Sequence, residues 1–82
     1  MYVVYVLYSQ EKDRYYIGFT GDEIDERLRK HNSNHKGFTG KAADWRVVYT
    51  ESLLDKSAAI RRELEIKRWK SRKRIEDLIL NK

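Results

Sequence analysis

Two runs of β-branched and aromatic residues, separated by a short polar stretch, constrain this chain more than anything else in it. Met1-Tyr-Val-Val-Tyr-Val-Leu-Tyr8 carries such side chains almost throughout, and Arg14-Tyr-Tyr-Ile-Gly-Phe19 resumes the pattern after the polar segment Ser9 to Asp13. The first run suits a strand covered on both faces, with Tyr2, Val4, Val6 and Tyr8 on one side and Val3, Tyr5 and Leu7 on the other. Together the two predict a β-hairpin with a longer loop. Gly18 weakens its strand unless something approaches the backbone there or the strand bends.

Downstream, Thr20 and Glu23 have capping-box spacing, which predicts a helix over Glu23 to His31 with Ile24, Arg27, Leu28 and His31 on its core-facing side. Asn32 to Asp44 is polar and aperiodic and reads as a surface loop. Trp45 to Thr50 is the expected third strand. Asp55 or Ser57 caps a second helix running to about Lys70, and Ser71 caps a short last one carrying Ile75, Leu78 and Ile79. The order β-β-α-β-α-α predicts a compact α/β or α+β layer fold.

With 82 residues and no repeat or linker, the chain is expected to form a single domain over residues 1–82. It has no cysteine, which excludes disulfides and thiolate chemistry and fits a cytoplasmic location, and two histidines alone cannot build a structural zinc site. No window is apolar enough to span a membrane, and the apolar opening lacks the basic leader of a signal peptide. The net charge of +5 is concentrated at one end. Residues 1–60 hold nine bases and nine acids, whereas residues 61–82 hold nine bases and four acids. Such asymmetry points to a polyanionic partner, most simply nucleic acid.

Several residues break the pattern of a simple core. Glu63 falls on one helical arc with Ala59, Ile60, Leu64 and Ile66, where a carboxylate needs a partner. It either pairs with Lys67 one turn on or ligates a hard divalent cation, and Mg²⁺ is often held by only one or two carboxylates. Tyr5 and Tyr16, on adjacent strands, are either core aromatics or proton carriers, the latter needing cationic help because a phenol's pKa is about 10. Arg27 could supply that charge or grip a phosphate. His31 serves as a relay or phosphate contact, or simply sits well at a helix C-terminus. Lys36, Lys41, Lys67, Lys70, Arg72 and Lys73 are candidate phosphate contacts, and Trp69 among them either stacks on a base or packs.

Taken in order, these residues resemble a GIY-YIG nuclease domain, in particular the small stand-alone endonucleases similar to the amino-terminal domain of the excinuclease C subunit. Val3-Val4-Tyr5 stands where the family has Gly-Ile-Tyr, and Tyr16-Ile17-Gly18 follows after ten residues. Arg27 to Asn32, Trp45 to Glu51 and Ala59 to Glu63 with Ile66-Lys67 match the family's next elements. The resemblance implies a three-stranded antiparallel sheet flanked by helices, with the site on the sheet surface between the first and second helices. It further implies hydrolysis of DNA phosphodiester bonds with one Mg²⁺ or Mn²⁺ held by Glu63. Tyr5 would help deprotonate the attacking water, Tyr16 would share that proton network, Arg27 would neutralise the phosphate, and His31 would relay a proton or position the strand.

Two departures stand out. Valines replace Gly-Ile at positions 3 and 4, and the asparagine that many members place twelve to fifteen residues after the glutamate has no match. The expectation is therefore a metal-dependent endonuclease acting on DNA, RNA not being excluded, in a setting such as repair or recombination. The alternatives are a non-catalytic nucleic-acid-binding module and a subunit whose protein partner supplies specificity.

Overall fold

A computed structural model describes residues 1–33 and 44–81. Strands β1 (Tyr2–Ser9) and β2 (Arg14–Thr20) are followed by helix α1 (Ile24–Ser33), strand β3 (Arg46–Leu53), and helices α2 (Lys56–Arg68) and α3 (Arg72–Leu80). The three strands form one antiparallel sheet in the order β2-β1-β3. This is the expected α+β arrangement with the expected element order. The expected loop contacts Lys36 and Lys41 lie outside the described residues.

Being central, β1 is buried on both faces, as its unbroken apolar run predicts. Val4 and Val6 join Ile17, Tyr49, Ala59 and Ile66 in a core beneath α2 and α3. On the opposite face Tyr5 and Leu7 meet Trp45, with Ile24 and Leu28 of α1 closing over them. Each fully buried apolar side chain contributes about 1.5–3 kcal/mol, so β1 anchors both layers.

Three local features differ from the sequence reading. Thr20 belongs to β2 and accepts from the Asp22 amide at 3.0 Å, while the bond from Arg27 N–H to the Glu23 carbonyl makes Glu23 the cap of α1. The Thr20–Glu23 capping box is thus replaced by a hydroxyl-closed turn. Asn32 extends α1 instead of opening a loop. On α2, Ile60 and Leu64 face solvent, and the buried face is Ala59 and Ile66 flanked by half-buried Arg62 and Glu63. Glu63 therefore stands at the margin of the helix's packed face.

The other caps are as expected. Asp55 accepts from the Ala58 amide at 2.8 Å and Ser71 from that of Arg74 at 3.3 Å. The α3 N-terminus is held to the hairpin turn by Arg72, which pairs with Asp13 and Glu76 and lies 5.3 Å over the Tyr15 ring. Asp13 has a positive φ of 52°, a conformation aspartate tolerates, and it also accepts from Tyr8 at 2.6 Å. The Arg72 hydrogen bond, aided by Tyr8, lowers the Asp13 pKa from 3.8 to about 2. A carboxylate depressed by folding stabilises the native state above its unfolded pKa, near 4, and loses that contribution as pH falls toward about 2. Thermal melts should show a drop in midpoint between pH 5 and pH 2.5 that is smaller in Asp13→Asn; an equal drop in both would remove Asp13 from the acid response.

Candidate active site

Four side chains meet on the α1 face of the sheet. Tyr5 projects from the middle of β1, directly across from Gly18 on β2. A methyl group at Gly18 would lie 2.6 Å from the Tyr5 hydroxyl and 3.1 Å from the Tyr16 ring, so glycine is what allows the Tyr5 ring to lie across β2. This close approach is the reason for the strand-weakening glycine.

Helix α1 supplies the polar partners. Its 3.6-residue period brings Arg27 and His31 onto the turn above Tyr5. Arg27 Nε donates to the Tyr5 hydroxyl at 3.3 Å, and the same hydroxyl lies 2.9 Å from His31 Nε2. The His31 ring also packs against Tyr16, with centroids 4.7 Å apart, and Tyr16 in turn meets Trp45 edge-on at 6.4 Å. Tyr5 is fully buried and His31 is 7% exposed, whereas Tyr16 and Arg27 are half-buried. The phenol and imidazole thus lie behind a partly accessible tyrosine and guanidinium.

Electrostatics assigns the protons. Burial pushes the Tyr5 pKa above the usual 10.0, Arg27 opposes the shift through its hydrogen bond and charge, and Tyr16 and Glu63 add to it. Burial, reinforced by the Arg27 charge, lowers the His31 pKa below 6.5. At neutral pH the site therefore holds a neutral imidazole beside a protonated phenol. In the tautomer with the proton on Nδ1, Tyr5 O–H donates to Nε2. Arg27 remains cationic, and among the described residues its other guanidinium nitrogens make no hydrogen bond, which leaves them for an anion.

Glu63 stands on α2, at the margin of the face that packs against the other side of the sheet, and among the causes of the Tyr5 shift its charge ranks below burial, Arg27 and Tyr16. Its side chain is only 13% exposed, and among the described residues its one partner is the more exposed Lys67, whose Nζ is 3.2 Å away. Both readings of Glu63 thus have a footing, the ion pair in fact and the cation site in chemistry. Among the described residues there is no cluster of three or more His, Cys, Asp or Glu. A single carboxylate still fits Mg²⁺, which keeps several waters and draws further oxygens from substrate phosphate.

The basic candidates are less uniform than their sequence run suggests. Lys67 pairs with Glu63, while Lys70 and Lys73 are exposed around the α2–α3 junction. Arg72 has its charge matched by Asp13 and Glu76 and serves as the clasp described above. Asn81 caps α3, its side-chain amide donating to the Asp77 carbonyl at 2.8 Å, so it offers no substitute for the family asparagine.

Two positioning residues carry no chemical signature in the sequence. Asn32 donates to the Trp45 carbonyl at 3.0 Å and accepts from the Trp45 amide at 2.8 Å, tying the last turn of α1 to the start of β3. Asp44 accepts from Ser9 at 2.6 Å and from the Glu11 amide at 2.9 Å, fixing the same end of β3 to the hairpin. Asn32 closes the Arg27 to Asn32 segment that resembles the family's helix, whereas Asp44 has no such signal.

Among the described residues no helix is long and apolar enough to cross a membrane. Neither a curated protein nor a solved structure matches the chain. The family model for the GIY-YIG catalytic domain, however, matches residues 1–76, nearly its whole length. Tyr5, Tyr16, Gly18, Arg27, His31 and Glu63 all lie within that match, and the chain belongs to the GIY-YIG nuclease family.

Proposed function

We propose that this protein is a metal-dependent endonuclease that hydrolyses phosphodiester bonds in DNA, acting in repair or recombination as one catalytic domain. The observation that carries the proposal is the convergence of Arg27 and His31 on the Tyr5 hydroxyl in a chain that the GIY-YIG family model matches over residues 1–76. GIY-YIG nucleases are in general dependent on a divalent metal. Glu63 would hold Mg²⁺ or Mn²⁺, which supplies Lewis-acid stabilisation of charge on the scissile phosphate when bound. Arg27 is the protein's own contribution to the same electrostatic demand, presented from a half-buried position where a guanidinium acts more strongly than in open water.

Proton handling follows from the two pKa shifts. A free phenolate at fully buried Tyr5 is costly, but the neutral His31 removes the need for one. A proton arriving at the Tyr5 oxygen is balanced by the phenolic proton passing to Nε2 over the 2.9 Å contact. Half-buried Tyr16, packed on His31, orients the attacking water at the surface of this network. Lys67, Lys70 and Lys73, with Lys36 and Lys41, contact flanking phosphates, and a protein partner supplies selectivity that one small domain lacks.

The test is a pH–rate profile for cleavage of a labelled duplex. Because only neutral His31 accepts the proton, the rate should fall on the acid side through a pKa below 6.5, and Tyr5→Phe should cost about 10²–10⁴-fold in kcat. Wild-type turnover in Tyr5→Phe would exclude the relay. The unmatched asparagine favours one second reading, a nucleic-acid-binding module without turnover, which predicts binding but no cleavage on any DNA structure.

A further inference from the structure

Helix α2 has a second charged side, turned away from the site. Arg61 and Arg68 lie about 140–160° around the helix from Glu63, too far to share its phosphate. With Ala58, Arg62, Leu64, Glu65 and Trp69 they line an open groove of about 690 Å³. Arg62 is matched by Glu51 at 3.1 Å and by Glu65 at 2.8 Å. Among the described residues Arg61 and Arg68 make no ion pair, so the groove carries a net positive charge, and Arg74, likewise without an ion pair, adds to it from across the Trp69 ring.

The indole organises that charge. Trp69, half-buried, packs against the core beneath α2, with the Arg74 guanidinium 4.5 Å from its ring centroid and that of Arg62 at 5.8 Å. A guanidinium held on an aromatic face loses less freedom when it binds and keeps its planar donors aimed outward. Two arginines without an ion pair beside a half-buried indole, on one side of a single helix, match a flexible chain of phosphates and bases better than a rigid duplex.

We infer that the Arg61–Arg68 groove beside Trp69 binds a single-stranded nucleic-acid segment, separately from the Glu63 site. This goes beyond cleavage and does not depend on it. Trp69 provides the readout, because Trp45, the other tryptophan, is 2% exposed and lies on the opposite face of the sheet.

The experiment titrates the full chain with a twelve-nucleotide thymidine oligomer in EDTA, where failure of the nuclease reading has no effect. Saturable quenching of tryptophan emission is expected, absent in Trp69→Phe. Arg61→Gln/Arg68→Gln should bind about tenfold more weakly, with a salt slope reduced by roughly 1.4 for two phosphates lost, and Arg61→Lys/Arg68→Lys should restore the slope. The proposal is overturned by any of three results. These are no quenching in the wild type, the same affinity and slope in the double glutamine variant, or equal quenching by polyglutamate or by a duplex of the same length.

Discussion

Replacing Glu63 by glutamine is expected to lower metal-dependent cleavage by about 10²–10³-fold, the usual effect of removing one preorganised electrostatic contact from a hydrolytic site. The amide keeps the shape of the side chain and removes only its charge. Lys67, which loses its partner, is substantially exposed, so the pair is worth a few tenths of a kcal/mol and stability should hardly change. That separation makes the variant informative: circular dichroism and melting temperature report the fold, and turnover reports the carboxylate. A fully active Glu63→Gln would place the metal elsewhere or remove it from the reaction.

Gly18→Ala should do the reverse and damage fold and site together. The new methyl would lie 2.6 Å from the Tyr5 hydroxyl and 2.8 Å from the ring carbon bearing it, distances that real side chains do not tolerate. Tyr5 is fully buried and rigid, so it can yield only by moving the sheet or leaving its place against His31 and Arg27. Overpacking of this kind costs about 1–3 kcal/mol, and the gain of about 0.5–1 kcal/mol from replacing a strand glycine offsets only part of it. In a domain of this size each kcal/mol shifts Tm by about 4–8 °C, so a fall of several degrees with loss of cleavage is expected. An unchanged melt would mean that Tyr5 is held less tightly than its burial indicates.

Local signals in the sequence carry through to the fold, and those that depend on distant partners do not. The unbroken apolar run of β1 announced a central strand, because a strand buried on both faces has no polar alternation to keep. The face of α1 was equally readable, since Arg27 and His31 share the helical period of Ile24 and Leu28. The buried face of α2 was not. Ile60 and Leu64 looked like core by hydropathy, yet the sheet receives the smaller Ala59 and the margin residues Arg62 and Glu63, because close packing selects by shape and by partners such as Glu51. Period-two reading also fails in β3, where a bulge makes Val47 the partner of Leu7 and Tyr49 that of Val6. The extra residue puts Val48 and Tyr49 in the same core. As for the site, the resemblance to the GIY-YIG family singles out the candidate residues, while the proton order among them comes from burial, which pushes Tyr5 and His31 toward their neutral forms.

Nicking of supercoiled plasmid reads out hydrolysis of a phosphodiester bond through the Glu63 carboxylate. Purified wild type and Glu63→Gln would be compared in Mg²⁺, Mn²⁺ and EDTA, with DNA binding measured in parallel. The wild type should nick in a divalent metal and not in EDTA, and the variant should lose about 10²–10³-fold with binding retained. Equal nicking by both proteins, or nicking that persists in EDTA, would contradict hydrolysis through Glu63.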